Sequence, residues 1–259
     1  MEKKKGISGS TLKMIAIVTM LIDHIGAAVL ARLLMVNGLG ELDQTNTDAI
    51  MQWLSANGAL YGTYTVMRMI GRVAFPIFCF LLVEGFLHTH DVKKYAMRLG
   101  LFALLSEIPF DLAFSSKILE FNYQNVFFTL FIGLLTMIAY RAVEEKEEWN
   151  QALKVILYIL IVAAGMALAY FLKTDYAEKG VFCIMVLYIF RKKKMWQLIA
   201  GCASFIWETP ALFGFIPIAF YNGTHGWKMK YFFYIFYPAH LLILYLLCYF
   251  MGISGYSAV

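Results

Sequence analysis

Charged residues are scarce in this sequence. Lysine, arginine, aspartate and glutamate together make up 15% of the 259 residues, whereas 61% of the residues are hydrophobic. A soluble domain carries roughly 25% charged and about 45–50% apolar residues. Apolar stretches recur up to the C-terminus, which also excludes a soluble protein with a single membrane anchor. The composition therefore predicts a polytopic membrane protein.

Several chemical signatures are absent as well. The four cysteines lie inside apolar stretches without paired spacing, so we interpret them as packing residues rather than as disulfide or metal-binding residues. No Walker-type glycine loop, HExxH or GxSxG motif is present, which removes sequence support for nucleotide hydrolysis, zinc proteolysis and elbow-type serine hydrolysis. We expect no metal and no nucleic-acid partner, and a single transmembrane domain over residues 1–259.

Eight apolar stretches predict about eight transmembrane helices and hence an all-α fold, because a helix needs roughly 20 apolar residues to cross a bilayer. The predicted spans are 12–36, 61–87, 95–114, 125–142, 153–172, 176–190, 195–213 and 230–251. The N-terminal lysines resemble the start of a signal peptide, but the apolar stretch that follows is long and contains polar residues, which favours a retained first span. Residues 37–60 are polar and acidic, and they are predicted to form an outer loop.

Basic residues are unevenly distributed over the predicted loops. With the N-terminus placed inside, the inner segments hold most of them, including the run 191–194, whereas the outer loops hold few. Loops rich in lysine and arginine stay on the cytoplasmic side of a membrane. We therefore predict a multi-pass protein whose N-terminus and C-terminus are both cytoplasmic.

The first predicted span carries two polar residues, Asp23 and His24, near its middle. His24 follows Lys13 by eleven residues, which is about 16 Å along a helix that rises ~1.5 Å per residue, and the two lie on one face. A polar group at this depth is unfavourable by several kcal/mol unless it faces protein, water or a partner. The pattern therefore predicts a functional role for His24.

Ionisable residues also stand near the centres of three other spans. Arg72 lies in the second span, Glu107 in the third and His240 in the eighth, each within four residues of a proline. Proline bends a helix and frees a backbone carbonyl, so a polar chamber near the midplane explains the pattern. Structural ion pairs among Asp23, Arg68, Arg72 and Glu107, and a core packing role for His240 among aromatic residues, remain open as alternatives.

This pattern favours acyl transfer. A buried neutral imidazole can take a proton from a hydroxyl or an amine, or carry the acyl group itself. Lys13, near the cytoplasmic surface, could hold the phosphates of a long donor whose reactive end reaches His24, and arginines at mid-depth could stabilise an oxyanion. The alternatives are a transporter or channel with a polar midplane site, and a non-catalytic assembly partner of surface proteins.

Six segments of the chain carry most of these residues. They are SGSTLKMIAIVTMLIDHIG (8–26), RMIGRVAFPIFCFLLVEGFLHT (68–89), KYAMRLGLFALLSEIPFDLAF (94–114), QNVFFTL (124–130), TDYAEKGV (174–181) and YNGTHGWKMKYFFYIFYPAHL (221–241). Together they resemble the TraX family of bacterial membrane acetyltransferases, of the pilin N-acetylation type. TraX proteins are in turn similar to membrane acyltransferases that modify cell-surface sugars, in which a histidine follows a basic residue after ten others, as His24 follows Lys13.

The resemblance implies acetyl-CoA as the donor, entering from the cytoplasm, and an exported pilin-like peptide or a surface glycan as the acceptor. It also implies a location in the bacterial cytoplasmic membrane, in contact with the lipid bilayer. It does not specify an oligomeric state.

Residue roles follow from the pattern and the resemblance together. We predict His24 as base or acyl carrier, Asp23 as its electrostatic support with Arg72 as the first candidate partner, and Glu107 as a further catalytic residue. The donor is predicted to contact three basic residues: Lys13, Arg68 and Arg98. The acceptor is predicted to contact four polar residues of the later segments: Asp175, Tyr176, Asn222 and His240.

Overall fold

The chain folds into a bundle of helices. The structure, a computed structural model, describes residues 5–227 and 230–257. Helices make up 76% of it, and within those ranges there is no β-strand, only two isolated bridges. The predicted all-α fold is therefore confirmed.

Eleven α-helices are found in the described ranges. In chain order they are α1 (Gly9–His24), α2 (Ala31–Val36), α3 (Thr47–Gly71), α4 (Ala74–His88), α5 (Val92–Ser115), α6 (Val126–Glu144), α7 (Gln151–Phe171), α8 (Ala177–Ile189), α9 (Lys194–Ser204), α10 (Phe215–Ala219) and α11 (Lys230–Phe250). A π-helical segment, Ile25–Leu30, joins α1 to α2, so the first helical stretch is continuous from residue 9 to residue 36.

Five helical stretches in the described ranges are long and apolar enough to cross a membrane. They are Gly9–Val36, Thr47–His88, Val126–Glu144, Gln151–Phe171 and Phe232–Phe250. A multi-pass membrane protein is therefore supported, but eight spans are not confirmed. Helix α5 carries five charged residues, α8 has only 13 residues, and the predicted seventh span is broken.

The predicted outer loop 37–60 is wrong beyond its first ten residues, because α3 already begins at Thr47. The side chain of Asn46 caps this helix by accepting a hydrogen bond from the Ala49 backbone N–H at 3.1 Å. Trp53 Nε1 donates to the Asn37 carbonyl at 2.7 Å, so α3 runs antiparallel to the first helical stretch. Serine, asparagine and glycine residues gave this segment the composition of a loop.

The predicted seventh span, 195–213, is a re-entrant hairpin rather than a crossing helix. Helix α9 ends at Ser204, the chain turns, and a 3-10 segment (Thr209–Gly214) followed by α10 returns it to its starting level. Lys194 Nζ donates to the Tyr221 carbonyl at 2.9 Å, which places the two ends of residues 194–219 side by side. Pro210, which has no N–H, stands at the start of the 3-10 segment.

The described ends of the chain lie at opposite ends of the bundle. The Gly9 backbone N–H donates to the Thr224 carbonyl at 2.7 Å, next to the start of α11. The segment after α11 lies at the other end of the first helical stretch, where Arg32 Nε donates to the Tyr256 carbonyl at 2.8 Å. This arrangement does not agree with the prediction that both termini lie on the same, cytoplasmic side. We refer to these ends as the N-terminal end and the opposite end.

Two clusters of buried apolar side chains flank the centre of the bundle. One is formed mainly by α4, α6, α8 and the re-entrant hairpin, and the other by α1, the π-helical segment, α5 and α11. Both clusters contribute to the walls of the site described next, Phe75 from the first and Met20 from the second.

Candidate active site

Two adjoining cavities lie inside the bundle. The smaller, with a volume of about 110 Å³, is lined by His24, and we call it the histidine cavity. The larger, about 370 Å³, is lined by Lys13, and we call it the lysine cavity. Met20, Phe78 and Val126 line both cavities, so the two share a wall.

His24 is hydrogen bonded to His240, with 2.6 Å between Nδ1 of His24 and Nε2 of His240. The two ring planes are parallel and the ring centroids are 4.9 Å apart. The rings therefore meet edge to edge, with the hydrogen bond between the two nitrogens that face each other. His240 was predicted to contact the acceptor, but in the structure its side chain is hydrogen bonded to His24. The two predicted histidines therefore form one pair.

The backbone changes its helical form at His24. Helix α1 ends at this residue and the π-helical segment Ile25–Leu30 follows. Such segments occur frequently at functional sites. The edges of the Phe114 and Tyr237 rings face the imidazole at centroid distances of 5.5 and 5.8 Å, so the ring is held between α5 and α11.

Asp23 pairs with Arg68, with 2.8 Å between Oδ2 and Nη1, so the prediction of Arg72 as its partner is wrong. The other carboxylate oxygen, Oδ1, is buried and has no hydrogen-bond partner among the described residues. Gly71 makes this arrangement possible, because a Cβ atom built on it would lie 2.1 Å from the Cβ atom of Asp23. Arg68 thus lies in the histidine cavity, apart from the other two predicted donor-binding residues.

Arg72 instead pairs with Glu208, with 3.2 Å between Nε and Oε1, and also interacts with the Tyr176 side chain. Arg72 stands at the break between α3 and α4, and Glu208 stands at the tip of the re-entrant hairpin. Sequence reasoning missed Glu208 as a site residue. A carboxylate two residues before Pro210 inside an apolar stretch was the signal that could have found it.

Asp175 and Tyr176, which were predicted to contact the acceptor, line the histidine cavity. Tyr176 has φ = 64° and its ring stacks on Phe75 with 3.6 Å between centroids. A non-glycine residue in this left-handed region is strained, and such strain clusters at functional sites. Phe75 was not predicted as a site residue.

Tyr123, also missed by sequence reasoning, donates from its hydroxyl to Asp175 Oδ1 at 2.7 Å. The loop that carries Tyr123 is organised by Glu120, whose backbone N–H donates to Asp111 Oδ2 at 2.8 Å. Hydrogen bonds from the side chain of Lys117 and from Asn122 lower the pKa of Glu120 to about 2. This carboxylate therefore stays charged and bonded at any pH at which cells live.

The lysine cavity contains two cations, Lys13 and Arg98, neither of which forms an ion pair among the described residues. Lys13 Nζ lies 5.1 Å from the centroid of the Phe233 ring, and Arg98 Nε is buried without a hydrogen-bond partner in the described ranges. His225 also lines this cavity. Two cations without carboxylate partners in a largely apolar pocket are suited to an anionic ligand.

The structure places two predicted residues outside both cavities. The carboxylate of Glu107 is hydrogen bonded to the side chain of Asn125, at the junction of α5 and α6. Asn222 lies in the loop before α11, where its backbone N–H donates to the Ile7 carbonyl at 3.0 Å. That loop also carries His225 to the lysine cavity. Both residues thus contact the framework around the site rather than the space beside His24.

The lysine cavity, with its two cations, thus adjoins the cavity that contains the His24 imidazole. The Nε2 atom of His24 forms no hydrogen bond with the part of the chain that the structure describes, while Nδ1 is engaged by His240. In the described ranges no group of three or more histidine, cysteine, aspartate or glutamate residues could hold a metal ion. The chemistry available in the histidine cavity is proton or group transfer at an imidazole flanked by two arginines.

The chain is similar to known proteins along nearly its whole length. It is 27% identical over 275 residues to the probable fimbrial assembly protein FimC, serogroup H1, of Dichelobacter nodosus, and the alignment covers 94% of this chain and 97% of that protein. No solved structure matches the chain. The family model described as TraX protein matches residues 8–248, which is nearly the full length. The chain therefore belongs to the TraX family.

Proposed function

We propose that this protein is a membrane-embedded acetyltransferase of the bacterial cytoplasmic membrane. It moves an acetyl group from cytoplasmic acetyl-CoA to an amine or hydroxyl of an exported or cell-surface acceptor. The observation that carries the proposal is the pair of adjoining cavities, one with two unpaired cations and the other with His24. Membership of the TraX family, which is linked to pilin acetylation, and the similarity to a fimbrial assembly protein favour a pilin-like peptide as acceptor, with a surface glycan as the alternative.

The donor would lie along both cavities. Its phosphates would bind Lys13 and Arg98, because an anionic group gains most where cations have no carboxylate partner. Its long arm would follow the apolar wall past Met20 and Phe78 and place the thioester beside His24. Lys13 and His24 are eleven residues apart, or about 16 Å along the helix, so an extended arm rather than a compact ligand fits the site.

The reaction would use the free ring nitrogen of His24. This Nε2 atom takes a proton from the acceptor while the acceptor nitrogen or oxygen attacks the thioester carbonyl carbon. The carbon–sulfur bond then breaks, the acetyl group stays on the acceptor, and the departing thiolate takes the proton from His24. Attack by Nε2 itself, with transient acetylation of His24, is the other route that this geometry allows.

Arg68 and Arg72 would stabilise the oxyanion that forms on the thioester carbonyl. Each guanidinium is already fixed by a carboxylate, Arg68 by Asp23 and Arg72 by Glu208, so little rearrangement is needed during the reaction. Asp175 and Tyr176, which line the same cavity, would contact the acceptor.

The test is acetyl transfer by the purified protein in lipid nanodiscs. We expect time-dependent release of free CoA from acetyl-CoA, accelerated by a synthetic peptide with a free N-terminal amine. His24→Ala should lower turnover by ~10²–10⁴-fold, the usual scale for a lost general base. It should bind acetyl-CoA as the parent does, because His24 lies away from the phosphate-binding residues.

The matched control is His90→Ala, which removes an exposed histidine outside both cavities. Normal turnover by His24→Ala would contradict the catalytic assignment. A parent protein that does not bind acetyl-CoA would contradict the acetyltransferase proposal and favour a transporter, a channel or a non-catalytic assembly partner.

A further inference from the structure

We propose that His240 is a positioning residue that fixes the tautomer of His24, with the proton on Nδ1 and the lone pair on Nε2. The consequence for catalysis rests on the proposed function. The tautomer itself does not, because it is a property of the resting protein and can be measured without any substrate.

The assignment follows from the partners of His240. Its Nδ1 atom lies 2.7 Å from the Phe236 carbonyl, and its ring also interacts with the Tyr237 backbone. A carbonyl oxygen only accepts hydrogen bonds, so Nδ1 of His240 must carry the proton. In the neutral ring the other nitrogen, Nε2, then holds a lone pair. Since Nε2 lies 2.6 Å from Nδ1 of His24, the proton between them belongs to His24.

One ring nitrogen of a neutral imidazole carries the proton and the other is a base. With its proton on Nδ1, His24 has its basic lone pair on Nε2, the atom that is not engaged by His240. The opposite tautomer would place a proton on that atom and remove the base. His240 thus decides whether His24 can accept a proton from a ligand.

The pair is rigidly held. His240 is only 4% exposed, and its ring packs nearly parallel to that of Phe236, with 4.8 Å between centroids. Tyr237 contacts both imidazoles, at 5.8 Å from His24 and 5.7 Å from His240. Because four aromatic contacts, including that of Phe114 with His24, and two hydrogen bonds hold these rings, neither can turn to exchange its nitrogens without disrupting the packing around it.

The partner of His24 is an imidazole rather than a carboxylate. Asp23, the adjacent carboxylate, is bonded to Arg68. When Nε2 of His24 takes a proton, the Nδ1 proton can therefore move to Nε2 of His240. The positive charge is then carried by His240, whose Nδ1–H still donates to the Phe236 carbonyl.

The first experiment is nitrogen NMR of protein with ¹⁵N-labelled histidine, in nanodiscs at neutral pH and without ligand. The signals of His24 and His240 are identified by their loss in His24→Ala and His240→Ala. We expect His24 and His240 both to be protonated on Nδ1. In His240→Leu, the His24 ring should lose this fixed tautomer. A His24 ring protonated on Nε2 in the parent protein would overturn the proposal.

The second experiment compares two replacements of His240. Glutamine can donate from its amide nitrogen to the Phe236 carbonyl and accept from His24 Nδ1, so His240→Gln should keep the His24 tautomer and turnover within about tenfold of the parent. Leucine can do neither, so His240→Leu should lower kcat by on the order of 10²-fold or more while KM for acetyl-CoA stays unchanged. Equal kcat losses in both variants would overturn the positioning role.

If the parent protein shows the expected tautomer but transfers no acetyl group, the proposed function fails and the tautomer assignment stands. If transfer occurs and depends on His24 while the tautomer is the opposite one, the assignment fails and the function stands. The two proposals are therefore tested separately.

Discussion

Lys13 and Arg98 are unusual residues for the interior of a membrane protein, because each is a cation without a carboxylate partner in the described ranges. Within the membrane such charges are unfavourable unless they are paired or face water. Three other arginines differ in this respect, since Arg68 and Arg72 have carboxylate partners and Arg32 donates to backbone carbonyls. An anionic ligand would satisfy the two unpaired cations.

We predict that Lys13→Ala and Arg98→Ala each weaken acetyl-CoA binding by at least tenfold. A hydrogen bond to a charged group contributes about 1.5–3 kcal/mol, and about 1.4 kcal/mol corresponds to a factor of ten in affinity. The measurement is equilibrium binding of radiolabelled acetyl-CoA to the purified variants. Lys93→Ala is the matched control, because Lys93 is an exposed basic residue at the start of the same helix as Arg98. Parent-like affinity in both cavity variants would reduce these residues to determinants of membrane topology.

Single residues of the site were predictable where a polar or charged side chain interrupts an apolar helix, because burying such a side chain has an unfavourable free energy. His24, Asp23 and Lys13 stand out in an apolar helix, and the structure places the first two in one cavity and the third in the adjoining one. The partner of Asp23 was not predictable, because Arg68 and Arg72 are one helical turn apart and would lie on the same face of a continuous helix. Helix α3 ends at Gly71, between the two arginines, so their side chains have different partners.

At the scale of elements, the re-entrant hairpin packs closely against the site. Gly214 lies where the hairpin crosses the break between α3 and α4. A Cβ atom built on it would lie 2.6 Å from Pro76 Cγ and 2.8 Å from the Val73 carbonyl oxygen. The hairpin can therefore bring Glu208 to Arg72 only because this position has no side chain.

We predict that Gly214→Ala lowers the midpoint of thermal unfolding and reduces turnover. Overpacking of this kind typically destabilises by ~1–3 kcal/mol, and a displaced hairpin would separate Glu208 from Arg72. The measurement is thermal unfolding followed by tryptophan fluorescence, together with the transfer assay. Gly62→Ala is the control, because Gly62 is also helical but has no atom within 4 Å of its added Cβ. An unchanged midpoint for Gly214→Ala would show that the hairpin packs less closely than described.

The helices were predictable where apolar stretches are continuous, as in α6, α7 and α11, whose bounds agree closely with the predicted spans. Two elements were not predictable from hydropathy. The first half of α3 has the composition of a loop, but its polar side chains bond to the helix's own backbone, as Asn57 Nδ2 does to the Trp53 carbonyl. The hairpin has the hydropathy of a span, since its residues are mostly apolar, and hydropathy does not reveal the break after Ser204.

For the whole molecule, the hairpin reverses the expected side of the C-terminus. With the N-terminal end in the cytoplasm, as the basic residues indicate, the segment after α11 must lie outside. The contact between Arg32 and the Tyr256 carbonyl fixes that segment beside the end of the first helical stretch.

We predict that cysteines introduced at Asp43 and at Gly255 are labelled from outside intact cells, whereas one at Lys192 is not. Asp43 and Gly255 lie at the opposite end of the bundle, and Lys192 is exposed at the N-terminal end. The measurement uses a membrane-impermeant maleimide, with the parent protein and its four native cysteines as the background control. Labelling of Gly255→Cys only after the cells are opened would mean that the chain crosses the membrane once more than the hairpin allows.

Three hydrogen-bonded groups of the first helical stretch have partners at the other end of the sequence. The start of this stretch bonds to residues 224–225, His24 bonds to His240, and Arg32 bonds to Tyr256. During synthesis, α1 is therefore made long before the C-terminal residues that form hydrogen bonds with this stretch. Contacts between such distant residues slow folding, and until they form, His24 and Arg32 are polar groups without partners in lipid. The histidine pair can thus form only after α11 has been made, and no chain that stops before α11 contains it.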